Sequence, residues 1–174
     1  GYLLEIVRPS IGVITGIGSI PAHGEFYTSV DEVVREKGRL VETLPREGFA
    51  VLNTDDPAVR PILERARAHI VSFGQNEEAE VRIASFEHRL EHGRPKGISF
   101  KIIHGSNFVP LRIEGAVGLG HAYAASAAAA VGIAFGMNLV RIADALHYYV
   151  PQAGRSRMSL SPQISLPFCS IGSR

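Results

Sequence analysis

The chain has 174 residues, enough for one domain with a real core, and its 45% hydrophobic and 20% charged content is that of an ordinary globular protein. A net charge of +1 gives no reason to expect a nucleic acid or other polyanion as partner, and the single cysteine, Cys169, excludes an internal disulfide. No apolar run reaches the roughly 18 residues of a membrane span, and Gly1 to Arg8 lacks the pattern of a signal peptide, so a reduced, cytoplasmic setting is expected.

Taken in chain order, the first element is the apolar run Ile11 to Ile17. It is bounded by Pro9 and Gly18 and reads as a buried strand. A loop with His23 and Glu25 follows. Val30, Val33, Val34, Leu40, Val41 and Leu44 then recur at helical spacing, with Ser29 as N-cap and Glu32 three residues on, so a helix is expected from Val30 to Leu44. Phe49 to Asn53 is a second apolar strand, ended by the turn signal Asn53-Thr54-Asp55-Asp56-Pro57. A helix over Ala58 to Ala68 and a strand over His69 to Phe73 complete a strand-helix-strand rhythm. That rhythm predicts a parallel sheet with right-handed crossovers.

The pattern then changes. Glu80 to Phe86, Gly97 to Ile103 and Phe108 to Ile113 nearly alternate, separated by the turn-like HGRPKG and HGSN, and read as a small antiparallel meander with one solvated face. Tyr123 to Phe135 is an Ala-rich helix whose small side chains suit a central position. Leu139 to Tyr149 is a second helix, with Val140, Ala143, Leu146 and Tyr149 at three-residue steps and Pro151 as its stop. Residues 159–174 carry Pro162, Pro167 and many serines without a period, and read as an irregular tail. The expected fold class is therefore α/β: a mainly parallel sheet with flanking helices, plus the meander.

Five motifs occur in order: PSIGVITGIG at Pro9, AHGEFYTS and then VVREKGRL, REGFAVLNTDDP at Arg46, and QAGRSRM at Gln152. Together they resemble the Mur ligase family, whose pattern runs PDIAVVTNIG, AHLE, VAxAKGEL and xxGxAVLNxDDP; the fourteen positions from His23 to Lys37 are the family spacing. AHGE followed by FYTS is more like the branch that adds D-Ala-D-Ala than the diaminopimelate- or lysine-adding branch, which has DHLD and YHGT. The resemblance implies that residues 1–158 are the C-terminal part of the central ATP-binding domain. The 174 residues contain no GxxxxGK[ST] loop, so the isolated stretch is expected not to turn over ATP.

The implied reaction is ATP-dependent amide formation. The terminal carboxylate of UDP-MurNAc-tripeptide becomes an acyl phosphate, which the amine of D-Ala-D-Ala attacks. ATP and Mg2+ are the implied cofactors. Nothing in the sequence speaks to oligomeric state.

The resemblance gives His23 a place at the magnesium near the γ-phosphate. It gives Lys37 the part of a lysine carbamylated in many members, which would offer a metal two oxygens. It puts His121 and Arg155 at the nucleotide, with Arg157 as a competing register for the latter. Asn53 is expected to line the cleft, because ligands in open α/β sheets bind beyond the carboxyl ends of strands.

Each has a plainer reading. His23 and Glu25 are loop residues, Lys37 lies among Arg35, Glu36 and Arg39 on a solvated face, and Asn53, Asp55 and Asp56 are explained by turn chemistry. The chain also departs from the pattern. Gly16 stands where the family has asparagine, and His121 and Ala124 stand where HNVxNALAA has its two asparagines. A binding domain that keeps the fold without catalysis is the reading outside the enzyme class.

Overall fold

A computed structural model describes residues 4, 6–18, 29–152, 155–160 and 167–171. Its centre is a six-stranded sheet in the order β1-β2-β3-β4-β5-β6, built from β1 (Ile11–Ile14), β2 (Phe49–Asn53), β3 (His69–Gly74), β4 (Val81–Glu91), β5 (Arg94–His104) and β6 (Asn107–Glu114). The first three strands are parallel, in register Ile11 to Phe49 to His69. This is the parallel unit the sequence rhythm calls for.

Helix α1 (Val30–Glu42) connects β1 to β2. Its N-cap is Ser29, whose side chain accepts from the Glu32 N–H at 3.3 Å. Val33, Val34 and Val41 turn inward, and Val34 and Val41 join Ile14, Leu52, Val59 and Ile62 in one of two apolar clusters. Gly12 lets β1 approach this helix: a Cβ there would lie 3.1 Å from Leu40 Cγ. The first strand is shorter than Ile11 to Ile17 and is an edge strand, with Ile14 buried and Val13 38% exposed. The reason is its position: β1 pairs with β2 alone among the described strands, and past Ile14 the backbone turns to Asp56 instead of a ladder.

The helix expected over Ala58 to Ala68 is also shorter. A 3-10 turn at Pro57–Val59 runs into α2 (Arg60–Leu63), and the bonds from Arg65 N–H to Ile62 O and Ala66 N–H to Leu63 O tighten its end. The chain has no length for more helix, because His69 N–H already donates to Gly48 O at the start of the sheet.

The antiparallel strands β4, β5 and β6 form the expected meander, which continues the parallel sheet. β4 joins β3 through a two-residue parallel overlap, Phe73 with Val81 and Gly74 with Arg82, and then pairs antiparallel with β5. Both β4 and β5 outrun their sequence limits. Of HGRPKG, only His92 and Gly93 form the turn, with φ of 52° and 76°, and Pro95 and Gly97 lie within the ladder. A bulge between Ala84 and Glu87, with Ser85 at φ 51°, adds one residue to β4.

Helix α3 (Gly120–Ala134) covers β2 to β4, and α4 (Leu139–His147) covers β6. The Ala-rich helix is central, as its composition suggests. Ala122, Ala129 and Ala130 are fully buried, and the buried Ser126 hydroxyl donates to Val81 O at 3.2 Å. Gly132 is required by the second helix: a Cβ there would meet Ile142 at 2.9 Å. That interlock sets the face of α4. Leu139 and Ile142 are buried and Ala143 and Leu146 pack against the same core, whereas Val140 is 62% exposed and lies off that face. The helix ends at His147, not Tyr149.

The stretch read as irregular from residue 159 includes backbone pairing: β7 (Arg155–Leu160) is antiparallel to β8 (Pro167–Ile171). Strand β7 also bonds the segment before α3, with Met158 N–H donating to Gly115 O and Val117 N–H to Ser156 O.

Candidate functional site

The turn Asn53 to Pro57 lies where β2 ends, and it fastens three strand ends together. Asn53 is 8% exposed; its side-chain amide donates to Thr15 O at 2.8 Å and its oxygen accepts from Asp55 N–H at 3.0 Å. Asp56 reaches back to the end of β1, accepting from Ile17 N–H at 2.6 Å and Gly18 N–H at 2.9 Å, and it caps the following turn through Ala58 N–H. Asp55 reaches forward to the end of β3, accepting from Gln75 N–H at 2.5 Å and Asn76 N–H at 3.1 Å. Gly74 is the residue that admits it, since a Cβ there would lie 2.7 Å from the Asp55 carboxylate.

Helix α3 is tied into the same knot. The Tyr123 hydroxyl donates to Asp55 Oδ2 at 2.6 Å, and burial, then the hydrogen bond and charge of Asp55, push its pKa well above the ordinary phenol value. Around Asp56, burial pushes the carboxyl pKa up, but the three N–H bonds from Gly18, Ile17 and Ala58 outweigh it and the net pKa is lowered. A lowered folded-state pKa means stability that is complete above the unfolded value and lost as pH falls through the folded one. The stability gap between the wild type and Asp56→Asn is therefore expected to be constant above about pH 5 and to narrow below about pH 4. Chemical denaturation of both proteins across that range checks it; a gap that widens on acidification overturns it.

The carboxylates of Asp55 and Asp56 thus hold loops, and Asn53 does the same with both ends of its amide. Among the described residues no group of three or more His, Cys, Asp or Glu side chains could hold a metal ion. His23 and Glu25 lie outside the described residues. Lys37 is exposed in the middle of α1, on the helix that the loop after β1 enters.

His121 occupies a different setting from the solvated charges. It is 7% exposed, and its Nδ1 lies 3.1 Å from the Tyr149 hydroxyl with the rings tilted at 53°. It lines a cleft of about 690 Å³ with Gly118, Ala124, Tyr148, Gln152 and Ser156. Among the described residues no charged side chain lines this cleft. Its walls are glycine backbone, alanine and two tyrosines, and its polar edges are an imidazole, an amide and a serine. That combination suits a flat, uncharged, hydrogen-bonding ring. Arg155 places its backbone at the start of β7, next to Ser156, and Arg157 is exposed one residue further.

The structure therefore places His121 in the wall of the cleft and Asn53 in the strand-end knot, while Arg155 precedes the lining residue Ser156 in β7. Tyr123, Tyr149 and Gln152 were missed from sequence. A signal existed for the first: a tyrosine inside an Ala-rich helix carries a hydroxyl that needs a partner when the helix is central.

Comparison with known proteins matches residues 1–132 to a family model, the Mur ligase middle domain. UDP-N-acetylmuramate–L-alanine ligase of Aquifex aeolicus is 27% identical over 150 residues, covering 86% of this chain and 31% of that protein. UDP-N-acetylmuramoyl-tripeptide–D-alanyl-D-alanine ligase of Mycobacterium tuberculosis is 34% identical over 79 residues, covering 45% of this chain and 15% of that protein. Among solved structures, MurF from Acinetobacter baumannii superposes with a TM-score of 0.78 at 25% identity, covering 92% of this chain and 34% of that one. The chain spans about a third or less of the length of these relatives.

Proposed function

The chain belongs to the Mur ligase family, and we propose that it forms the C-terminal part, residues 1–158, of the central ATP-binding domain of a peptidoglycan-precursor ligase working in the cytoplasm. The observation that carries this is the cleft beside His121, lined among the described residues by no charged side chain, on the helix whose Tyr123 is bonded to the knot at the strand ends. A base bound there would lie beside the helix whose Tyr123 hydroxyl donates to Asp55 and so holds the loop after β3. The chain's own residues act by positioning: Asn53, Asp55 and Asp56 fix the loops after β1, β2 and β3, and His121, Gln152 and Ser156 offer hydrogen bonds to the base. Catalysis of phosphoryl transfer rests on such positioning and on charge neutralisation.

The substrates in this reading are ATP, UDP-MurNAc-tripeptide and D-Ala-D-Ala, joined through an acyl phosphate. The motif AHGEFYTS and the fold likeness to MurF favour the dipeptide. A second reading, L-alanine as the amine, is favoured by the match to the Aquifex ligase, which covers more of the chain. Mg2+, held through His23 and a carbamylated Lys37, would supply the charge that neutralises the phosphates. Asp55 and Asp56 do not fit that role, because their oxygens accept backbone N–H groups.

Adenosine, which lacks phosphates, tests the cleft by itself. Titrated into the 174-residue chain and followed by NMR, it is expected to shift the signals of Gly120, His121 and Tyr149, and His121→Ala is expected to weaken binding about tenfold. Shifts confined to other regions, or none, overturn the assignment.

A further inference from the structure

The antiparallel strands β4, β5 and β6 are covered on one face only. Ile83, Ile98, Ile102, Leu111 and Ile113 point into the cluster under α3 and α4. The cluster under α1 and α2 contains no residue of these strands, so among the described residues their other face has no helix on it. Strand alternation places the intervening side chains there, and the ladder sets them in rows. In the first row Arg82 lies opposite Ile103, and Ile103 opposite Phe108. One row on, Lys101 lies between Ala84 and Pro110, and one row further Arg112 lies opposite Ser99.

Each strand thus carries one cation, displaced by one row from its neighbour: Arg82, Lys101 and Arg112 form a diagonal across the face. Diagonal neighbours of this kind lie about 7–8 Å apart. The three are weakly neutralised. Arg82 pairs at 3.5 Å with Glu77, whose side chain is 93% exposed, and such a pair is exchanged at little cost. Lys101 stands 5.3 Å over the Phe108 ring, and the exposed Arg112 has no ion pair among the described residues. Glu87 is an acid on this side, in the row of Arg112 but two strands away. One row beyond, Arg89 and Glu114 neutralise each other across Gly97. Phe108, 60% exposed, and the exposed Pro110 add an apolar strip beside the diagonal.

We infer that this face docks an acidic segment of a partner protein, laid along the cationic diagonal with an apolar side chain on Phe108 and Pro110. In an extended segment every second side chain points the same way, about 7 Å apart, so alternating carboxylates match the spacing of the diagonal. Charge complementarity selects this occupant over a single-stranded nucleic acid. The net charge of +1 supplies no long-range attraction for a polyanion, and the Phe108 ring already carries Lys101, so it is not an open platform for a base. The face lies on the side of the sheet away from α3 and its His121 cleft, and the inference does not rest on the nucleotide reading.

The test titrates the 174-residue chain by NMR with the blocked peptide acetyl-Glu-Val-Glu-Val-Glu-amide. Saturable shifts are expected at Ala84, Lys101, Ile103 and Arg112. The counterpart acetyl-Gln-Val-Gln-Val-Gln-amide is expected to bind about tenfold more weakly, the scale of three exposed ion pairs, and salt at about 1 M to abolish binding of the acidic peptide. Lys101→Gln and Arg112→Gln are each expected to weaken it about two- to threefold, and the double variant by about the product. Arg60→Gln removes the same charge from an exposed position on α2 and is expected to change nothing. The peptide pair carries the test by itself if a variant perturbs the fold. Absence of saturable shifts, shifts clustered elsewhere, equal binding by the glutamine peptide, or an equal loss in Arg60→Gln overturns the proposal. So does oligothymidylate that binds the same residues more tightly than the acidic peptide, which would assign the face to nucleic acid.

Discussion

Asp55→Ala is expected to lower the melting temperature by roughly 5–10 °C, a loss of about 2–3 kcal/mol for a chain of this size. The carboxylate accepts from Gln75 N–H, Asn76 N–H and the Tyr123 hydroxyl, so its removal leaves three donors without their acceptor and frees the loop after β3 from helix α3. The figure stays below the sum of three charge-assisted bonds because the site is half-buried and water can reach the loop. Asp55→Asn keeps an acceptor and should fall between the two. Tyr123→Phe removes one bond and should cost least. The phenol gives an independent check: in Asp55→Asn the raised pKa of Tyr123 is expected to fall toward the ordinary phenol value, visible by ultraviolet titration against Tyr123→Phe. A melting temperature within a degree or so of wild type for Asp55→Ala would show that the knot does not hold the strand ends.

Lys37→Ala is expected to reduce turnover on the order of 10²–10³-fold in the ligase of which this chain is proposed to be part, the scale of losing one electrostatic stabiliser of a transferring group. Stability should hardly change, because Lys37 is exposed on α1 and surface substitutions usually stay within about 0.5 kcal/mol. Arg39→Ala is the control; it removes a neighbouring cation whose partner is Glu36 at 3.1 Å. Added short-chain carboxylate should restore part of the activity to Lys37→Ala, and bicarbonate should act on the wild type only. Equal, near-normal turnover in both variants would reduce Lys37 to a solvated charge.

The parallel unit was legible because its signals are local. The apolar run Phe49 to Asn53 is buried on both faces, and the cap Ser29 and the valines of α1 lie one turn apart. The turn Asn53 to Pro57 was legible as a turn, but its side chains bond residues 20 to 68 positions away, and no spacing rule reports those partners. The true limits of β4 and β5 were hidden for a related reason. Arg94 and Pro95 are loop residues by composition, and only the ladder shows that they are paired. Val140 misled because the packed face of α4 is chosen by Gly132, on another helix. The His121 cleft needs the end of α4 and the start of β7 to meet α3, a tertiary fact. The loop with His23 and Glu25 lies outside the described residues.

The bond from Tyr123 to Asp55 has a kinetic meaning as well. It closes a loop of 68 residues, whereas the pairing of β1 with β2 closes one of 38. Closing the longer loop carries the larger entropic cost, and contacts of high sequence separation form late. The bonds from Gln75 and Asn76 to Asp55 span only 20 and 21 positions, so the parallel strands, α1 and the loop after β3 can assemble first, and α3 is expected to dock on them later. What comes late at the carboxyl edge of the sheet is then the closing of α3 over a loop already formed, so strand assembly and the covering of that edge are expected to be separate events on the folding path.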